Sequence, residues 1–304
     1  MIQKCWFFRS ICTLCAFSLL LLVSSPLVSL AFFSYSNQEA LISTPKKASG
    51  QGMIPDLLPD AYYLGDTIAD LPPNDKVVYD LFTVIERKAR QLPTALLDRE
   101  PYYGDKVVYL TFDDGPDAEN TPKVLKILHE NDVKATFFVV GTQIEKYPEI
   151  LKSIYLEGHA IGNHTYNHIY RELYQSVDTY TNQLHHNDEI IKSILGVRPR
   201  ISRAPGGSAG SFTKVYWDRL KAEGYIEIGW NISSGDASRA NSKQIINNIA
   251  YQMENKFLSN HAIVLLHDGK GHSETTKALP EIIKFFKDRD FEFRAVNLHT
   301  PPAW

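Results

Sequence analysis

A basic surplus is missing from this sequence. Its 32 Lys and Arg stand against 35 Asp and Glu, a formal net charge of −3, and no dense Lys/Arg run occurs. Phosphate backbones are bound chiefly through clustered cations, so nucleic acid is excluded as the main partner. Cysteine is scarce. The 3 that occur, Cys5, Cys12 and Cys15, all lie in or before the first apolar run. Everything downstream is free of thiols, which excludes disulfides and thiolate metal sites there. Cys15 falls at the beginning of that run and not after it, so it does not read as a lipoprotein acceptor. Any metal site in the remainder must be built from imidazoles and carboxylates. Internal repeats are also lacking, and no segment points to a protein partner.

Long uncharged runs are lacking too, with one exception. Ile11 to Phe33 carries no charge and follows Lys4 and Arg9. As a helix it is long enough to span a bilayer. Its densest part, Leu14 to Val23, also has the size of a signal-peptide core, and Pro26 with Val28 to Ala31 offers a cleavage site. The apolar run continues past Ala31, which favours an uncleaved anchor. Basic residues before the run keep the N-terminus inside and export the rest. The expected product is therefore exported: anchored to the membrane through residues 11–33 with an extracytoplasmic domain, or secreted if the segment is cleaved.

The 304 residues, 44% of them hydrophobic, allow one large or two medium domains. Three segments are expected. Residues 1–33 form the signal-anchor or signal peptide. Residues 34–103 form a stem or linker, rich at first in Ser, Pro, Gly and Gln. Within it, Val77, Val78, Leu81, Phe82 and Ile85 recur at helical spacing, which predicts one helix over 75–90. From residue 104 to about 300, strand-like and helix-like stretches alternate. Val177 to Leu195, closed by Gly196, reads as a long helix, and Ser242 reads as the cap of another. Repeated strand–helix units imply an α/β fold with a parallel sheet. Periodicity alone leaves a (β/α) barrel and an open doubly wound sheet as alternatives.

The chemistry centres on Val107 to Asp117, VVYLTFDDGPD. A run of strand formers ends in two adjacent carboxylates and then Gly115-Pro116, so a buried strand emerges at a loop. Neighbouring buried carboxylates repel, and a metal ion or a shared proton relieves the repulsion. The bland alternative is a solvated turn with one Asp capping the next helix. Further on, His164 and His168 are spaced i, i+4 in GNHTYNH. On a helical turn both imidazoles would face one ion. Two His and one Asp leave a coordination position open for water, as a hydrolytic site requires.

Together, TFDDGP, HTYNH, RAPGG (Arg203 to Gly207), WNISSGD (Trp230 to Asp236) and LLHD resemble the five ordered motifs of the polysaccharide deacetylases, the NodB-homology enzymes of carbohydrate esterase family 4. The resemblance spans about residues 104 to 300. It implies an irregular, incompletely closed (β/α) barrel. It also implies a divalent cation, zinc first with cobalt or nickel as alternatives, held by Asp114, His164 and His168. Asp113 would be the general base, paired with and oriented by Arg203. The N–H of Gly206 would bind the oxyanion, and Leu265 would line the acetyl pocket. His267 would be the general acid, held by Asp236. The implied substrate is an N-acetylated cell-surface polysaccharide: N-acetylglucosamine of peptidoglycan, or a chitin-like polymer. O-acetyl polysaccharide esterase and non-catalytic glycan-binding protein are the alternatives. The sequence departs from the pattern in three places. Gly206 stands where the family often has an aromatic, which predicts a missing groove wall. Ser233 replaces an Asp, which predicts a weaker polar network, and Ala237 replaces a Trp. The remaining histidines match no motif and read as ordinary; His272, in a Gly-flanked loop after a site strand, has substrate contact as its alternative reading.

Overall fold

The computed structural model describes residues 57–68, 72–258 and 260–303. The apolar run over 11–33 lies outside them. No helix among the described residues is long and apolar enough to cross a membrane.

The chain first forms β1 (Ala61–Leu64), β2 (Val77–Asp80) and a short helix, α1 (Val84–Ala89). The single helix expected over 75–90 is therefore two elements. Val77 and Val78 pair in parallel with Ala61 and Tyr62. The helix starts only after Thr83, whose side chain forms a capping box with Glu86. Apolar residues at 77, 78, 81, 82 and 85 fit a helix in projection, but the first two pack from a strand.

Strand–helix units follow: β3 (Val107–Asp113), α2 (Asn120–Glu130), β4 (Thr136–Val139), α3 (Gly141–Ile144), α4 (Pro148–Leu156), β5 (Ala160–Asn163) and α5 (Tyr170–Leu173). The long helix α6 (Val177–Leu195) is bounded as its sequence predicts. Ser176 caps its first turn, and Gly196 closes it at φ +78°. Then come β6 (Arg198–Pro199), β7 (Ile201–Ser202), α7 (Lys214–Glu223), β8 (Ile226–Glu227) and β9 (Ile232–Ser233). The chain ends with α8 (Ser242–Gln252), β10 (His261–His267), α9 (Ser273–Lys287) and β11 (Glu292–Phe293). The cap of α8 is Asn241, in a capping box with Gln244, and not Ser242.

The main sheet is parallel, in the order β8-β7-β5-β4-β3-β10-β9, with β11 beside the start of β3. Starting at β3, chain order runs through β4, β5, β7 and β8 on one side, and β9 and β10 return to β3 on the other. A doubly wound sheet would reverse direction at a switch point. Here the order follows a ring, and β8 and β9 are not paired. The result is a curled, incompletely closed (β/α) barrel.

Both faces of the central strands are covered, so alternation along them is hidden in the sequence. It reappears in the packing. On β3, Val108, Leu110 and Phe112 join the apolar layer under the helices. Val107 and Tyr109 face the barrel interior with Phe138, Ile201 and Ile263. Thr111 and Asp113 continue that interior face toward the C-terminal mouth. On β10 the same face carries Ile263, Leu265 and His267. The interior is thus apolar below and polar at the rim.

The described residues from Leu57 onward belong to one compact unit, so the described part of the expected stem does not stand apart from the barrel. β2 pairs antiparallel with β6. Asp80, fully buried, accepts from Arg87 Nε and Nη2 at 2.7 Å each. Arg198 and Arg200 also reach it, at 3.3 and 2.7 Å. Arg198 turns its other nitrogen to Asp188 at 3.0 Å. Three buried guanidinium groups thus depend on two carboxylates. Removing one charge of a buried pair is strongly destabilising. Asp80→Asn should lower the unfolding free energy by about 3 kcal/mol, read from urea denaturation of the variant against the parent chain.

Candidate active site

Asp113 is the last residue of β3, and Asp114 follows in the left-handed region at φ +74°. The two carboxylates serve different partners. Arg203, which follows β7 and is fully buried, donates from Nη1 to Asp113 Oδ1 at 2.9 Å and to Thr111 Oγ1 at 2.7 Å. Its other nitrogens donate to the carbonyls of Ile228 and Gly229, both at 2.9 Å. The guanidinium also lies over the Phe138 ring, 4.2 Å from its centre. Asp113 is therefore held in one orientation at the barrel mouth.

Asp114 Oδ1 lies 3.5 Å from His164 Nε2 and 3.2 Å from His168 Nε2. Ligand atoms of these three residues all fall within 4.8 Å of one another. Burial pushes the Asp114 carboxyl up, but the neighbouring His164, with His168 and His267, holds it well below the ordinary carboxylate range. His164 Nδ1–H donates to Arg203 O at 2.7 Å, which leaves the Nε2 lone pair facing Asp114. Asp114 Oδ1 is buried and has no hydrogen-bond partner. A buried acceptor left unsatisfied between two imidazole nitrogens fits a divalent cation.

The two histidines are not on a helical turn, as their spacing suggests. Residues 164–169 form a loop in which Thr165 and His168 have φ +69° and +58°. Amide side chains sustain it. Asn163 Oδ1 accepts from Thr165 N, Asn187 Nδ2 donates to Thr165 O, and Gln183 Oε1 accepts from Asn167 N. The imidazole rings still converge, with centres 4.9 Å apart. Asn187 and Gln183 lie on α6, and nothing in their local sequence marks them.

Across the mouth, His267 ends β10. Its Nδ1 donates to Asp236 Oδ1 at 2.8 Å, and its backbone N donates to Oδ2 at 2.7 Å. Burial lowers the His267 pKa; the Asp236 bond and charge, with Asp113 and Asp114, reverse this and raise it to about 9. Ser234 Oγ and Thr275 Oγ1 also donate to Asp236, both at 2.8 Å. The hydrogen-bond network behind the His267–Asp236 pair is therefore intact. Ser233 is exposed on β9, where its backbone bonds the Gln252 side chain, so its replacement of an Asp does not open that network. Asp236, His267 and His272 also have ligand atoms close together. Both Asp236 oxygens already accept from donors, so this group reads as a carboxylate–imidazolium pair. The His272 ring stacks on His267, 5.0 Å between centres, a neighbour that motif reading missed.

Gly206 has φ +73°, and a Cβ there would lie 2.7 Å from Tyr170 Cε1. The expected gap is therefore filled by Tyr170 from α5. The Gly206 N–H meets no acceptor among the described residues. Leu265, 8% exposed, shares the His267 face of β10 and belongs to none of the buried apolar clusters. Asp268 was not anticipated as part of the site. It is buried, accepts from Thr121 Oγ1 at 2.5 Å, and blocks any side chain at Gly115. Its pKa is raised to about 7 by burial, against the Thr121 bond and with the charges of Asp114 and Asp113 adding. The adjacent His-Asp dipeptide was the available signal. A cavity of about 530 Å³, lined by Ala61, Val77, Lys134, His159 and Glu292 among others, holds none of these residues.

The polysaccharide deacetylase family profile matches residues 101–227. A peptidoglycan-N-acetylglucosamine deacetylase of Bacillus cereus is 33% identical over 196 residues, covering 63% of this chain and 70% of its own length. A solved CE4 esterase of Streptococcus mutans superposes with a TM-score of 0.60 at 32% identity, covering 64% of this chain and 87% of that one. The catalytic domain of a peptidoglycan N-acetylglucosamine deacetylase from Eubacterium rectale gives a TM-score of 0.61 at 30% identity, covering 68% and 96%.

The His267–Asp236 pair is directly measurable. In an NMR titration of the metal-free chain, His267 should titrate near 9. Asp236→Asn removes the charge that raises it, so the value should drop to the ordinary imidazole range near 6.5 or lower.

Proposed function

This chain belongs to the polysaccharide deacetylase family, hydrolases that act on amide bonds, and we propose that it removes N-acetyl groups from N-acetylglucosamine of peptidoglycan with a divalent cation, zinc first. The observation that carries the reading is the unpartnered Asp114 oxygen between His164 and His168. It faces a base already oriented by Arg203 and an acid already held by Asp236.

Asp114, His164 and His168 would hold the cation, which when bound supplies acidified water and a polarised acetyl carbonyl. The chain's own residues do the rest. Asp113 takes the proton of the attacking water. The Gly206 N–H donates to the carbonyl oxygen as it gains charge. His267, kept charged by Asp236, gives its proton to the departing amine as the C–N bond breaks. Leu265 borders the space for the acetyl methyl. Peptidoglycan is preferred over chitin-like polymers because two of the relatives named above are peptidoglycan N-acetylglucosamine deacetylases and because the N-terminal run would direct the chain outward. Anchoring through residues 11–33, with the barrel outside the membrane, belongs to the same reading.

The test is acetate release by the full chain from peptidoglycan, an N-acetylated chitooligosaccharide and acetylated xylan, with and without zinc. Release from peptidoglycan that requires metal is expected. Release from xylan alone would replace the amide by an ester, and no release with no bound metal would leave a glycan-binding protein. Asp113→Asn should retain metal and lose about a hundredfold or more in turnover. His164→Ala should lose the metal itself, read by metal analysis after dialysis.

A further inference from the structure

We propose that Tyr170 is a further catalytic residue, whose phenol hydroxyl donates a hydrogen bond to the reacting acetyl oxygen beside the Gly206 N–H; this rests on the deacetylase reading of the site. The hydroxyl edge of the ring overhangs Gly206. A Cβ built at Gly206 would meet Tyr170 Cε1 at 2.7 Å, Oη at 2.8 Å and Cζ at 3.2 Å. The same ring stands edge-on to His168, 5.4 Å between centres and 87° between planes. Tyr170 thus packs over the side-chain position of Gly206 and against one of the proposed metal ligands. Its position is set from below. Tyr174, one turn further along, donates its hydroxyl to Pro205 O at 2.6 Å, which ties α5 to the loop that carries Gly206. Tyr174 therefore anchors, while the Tyr170 hydroxyl finds no partner among the described residues. The residue is 51% exposed, so it lies open to an arriving sugar.

An N–H and an O–H on one side of the carbonyl oxygen form a two-donor site for developing negative charge. Glycine at 206 makes this possible. Any side chain there would displace the ring, and φ +73° already disfavours one.

The experiment compares kcat and KM of the zinc-loaded full chain, Tyr170→Phe and Tyr170→Ala on whichever of peptidoglycan or N-acetylated chitooligosaccharide the parent chain hydrolyses. Tyr170→Phe should lower kcat by about tenfold to a hundredfold. KM, zinc content and Tm should stay at parent values, because the ring and its packing remain. Tyr170→Ala should lose the same kcat factor and raise KM as well. A Tyr170→Phe variant with parental kcat would overturn the inference, whether or not Tyr170→Ala is impaired. A parent chain that releases no acetate from either substrate would overturn the deacetylase reading itself, and this inference with it.

Discussion

Much of this structure hangs on the position of one buried guanidinium. Arg203 donates to Asp113 and Thr111 on β3 and to the carbonyls of Ile228 and Gly229. Its own carbonyl accepts from His164, and its amide donates to Asn163 O at the end of β5. One residue therefore spans the interior of the barrel and couples the proposed base to a proposed metal ligand. A buried cation tolerates such a place only with its donors satisfied and a carboxylate opposite. Both conditions hold, and each fixes a functional atom. The guanidinium orients Asp113, and the carbonyl decides which His164 nitrogen keeps its lone pair.

Adjacent residues take unlike roles by the same economy. Asp113 and Asp114 are chemically identical and sequential, yet they have different surroundings. The strand ends on Asp113 with its side chain in the interior layer. The left-handed turn at Asp114 aims the next carboxylate at two imidazoles. On β10, His267 has the interior position that Asp113 has on β3, and the two are register partners. The proposed acid and base thus face one mouth because two neighbouring parallel strands end level. The groups around them differ as well: Asp236 raises the pKa of the imidazole, and Arg203 fixes the orientation of the carboxylate.

The segment before the barrel belongs to the same economy of charge. Asp80 on β2 and Asp188 on α6 neutralise arginines from α1 and β6 and from the residue that precedes β7. β7 leads directly to Arg203, so β2 supports the strand that carries the central guanidinium. What reads as a tether is part of the frame.

The roles proposed for Asp113, Arg203, Asp236 and His267 came from the resemblance of five ordered motifs to a family. The Asp113-Asp114 strand end, the His164 and His168 pair and helices with strong caps such as α6 were legible from residues alone. These are local signals: residue type, spacing and terminator chemistry suffice to reveal them. The ring order of the strands was not legible, because buried parallel strands are apolar on both faces and carry no period. Nor was the loop at His164 to His168. Its backbone is satisfied by Asn187 and Gln183, which lie far along the chain and look like ordinary helix residues. Tyr170 over Gly206, Ser234 behind Asp236, and Asp268 against Gly115 likewise depend on contacts between distant segments. Sequence by itself determined which chemical groups are available. The tertiary structure decided which of them meet, because burial, tautomer and register are properties of neighbours that chain order does not specify.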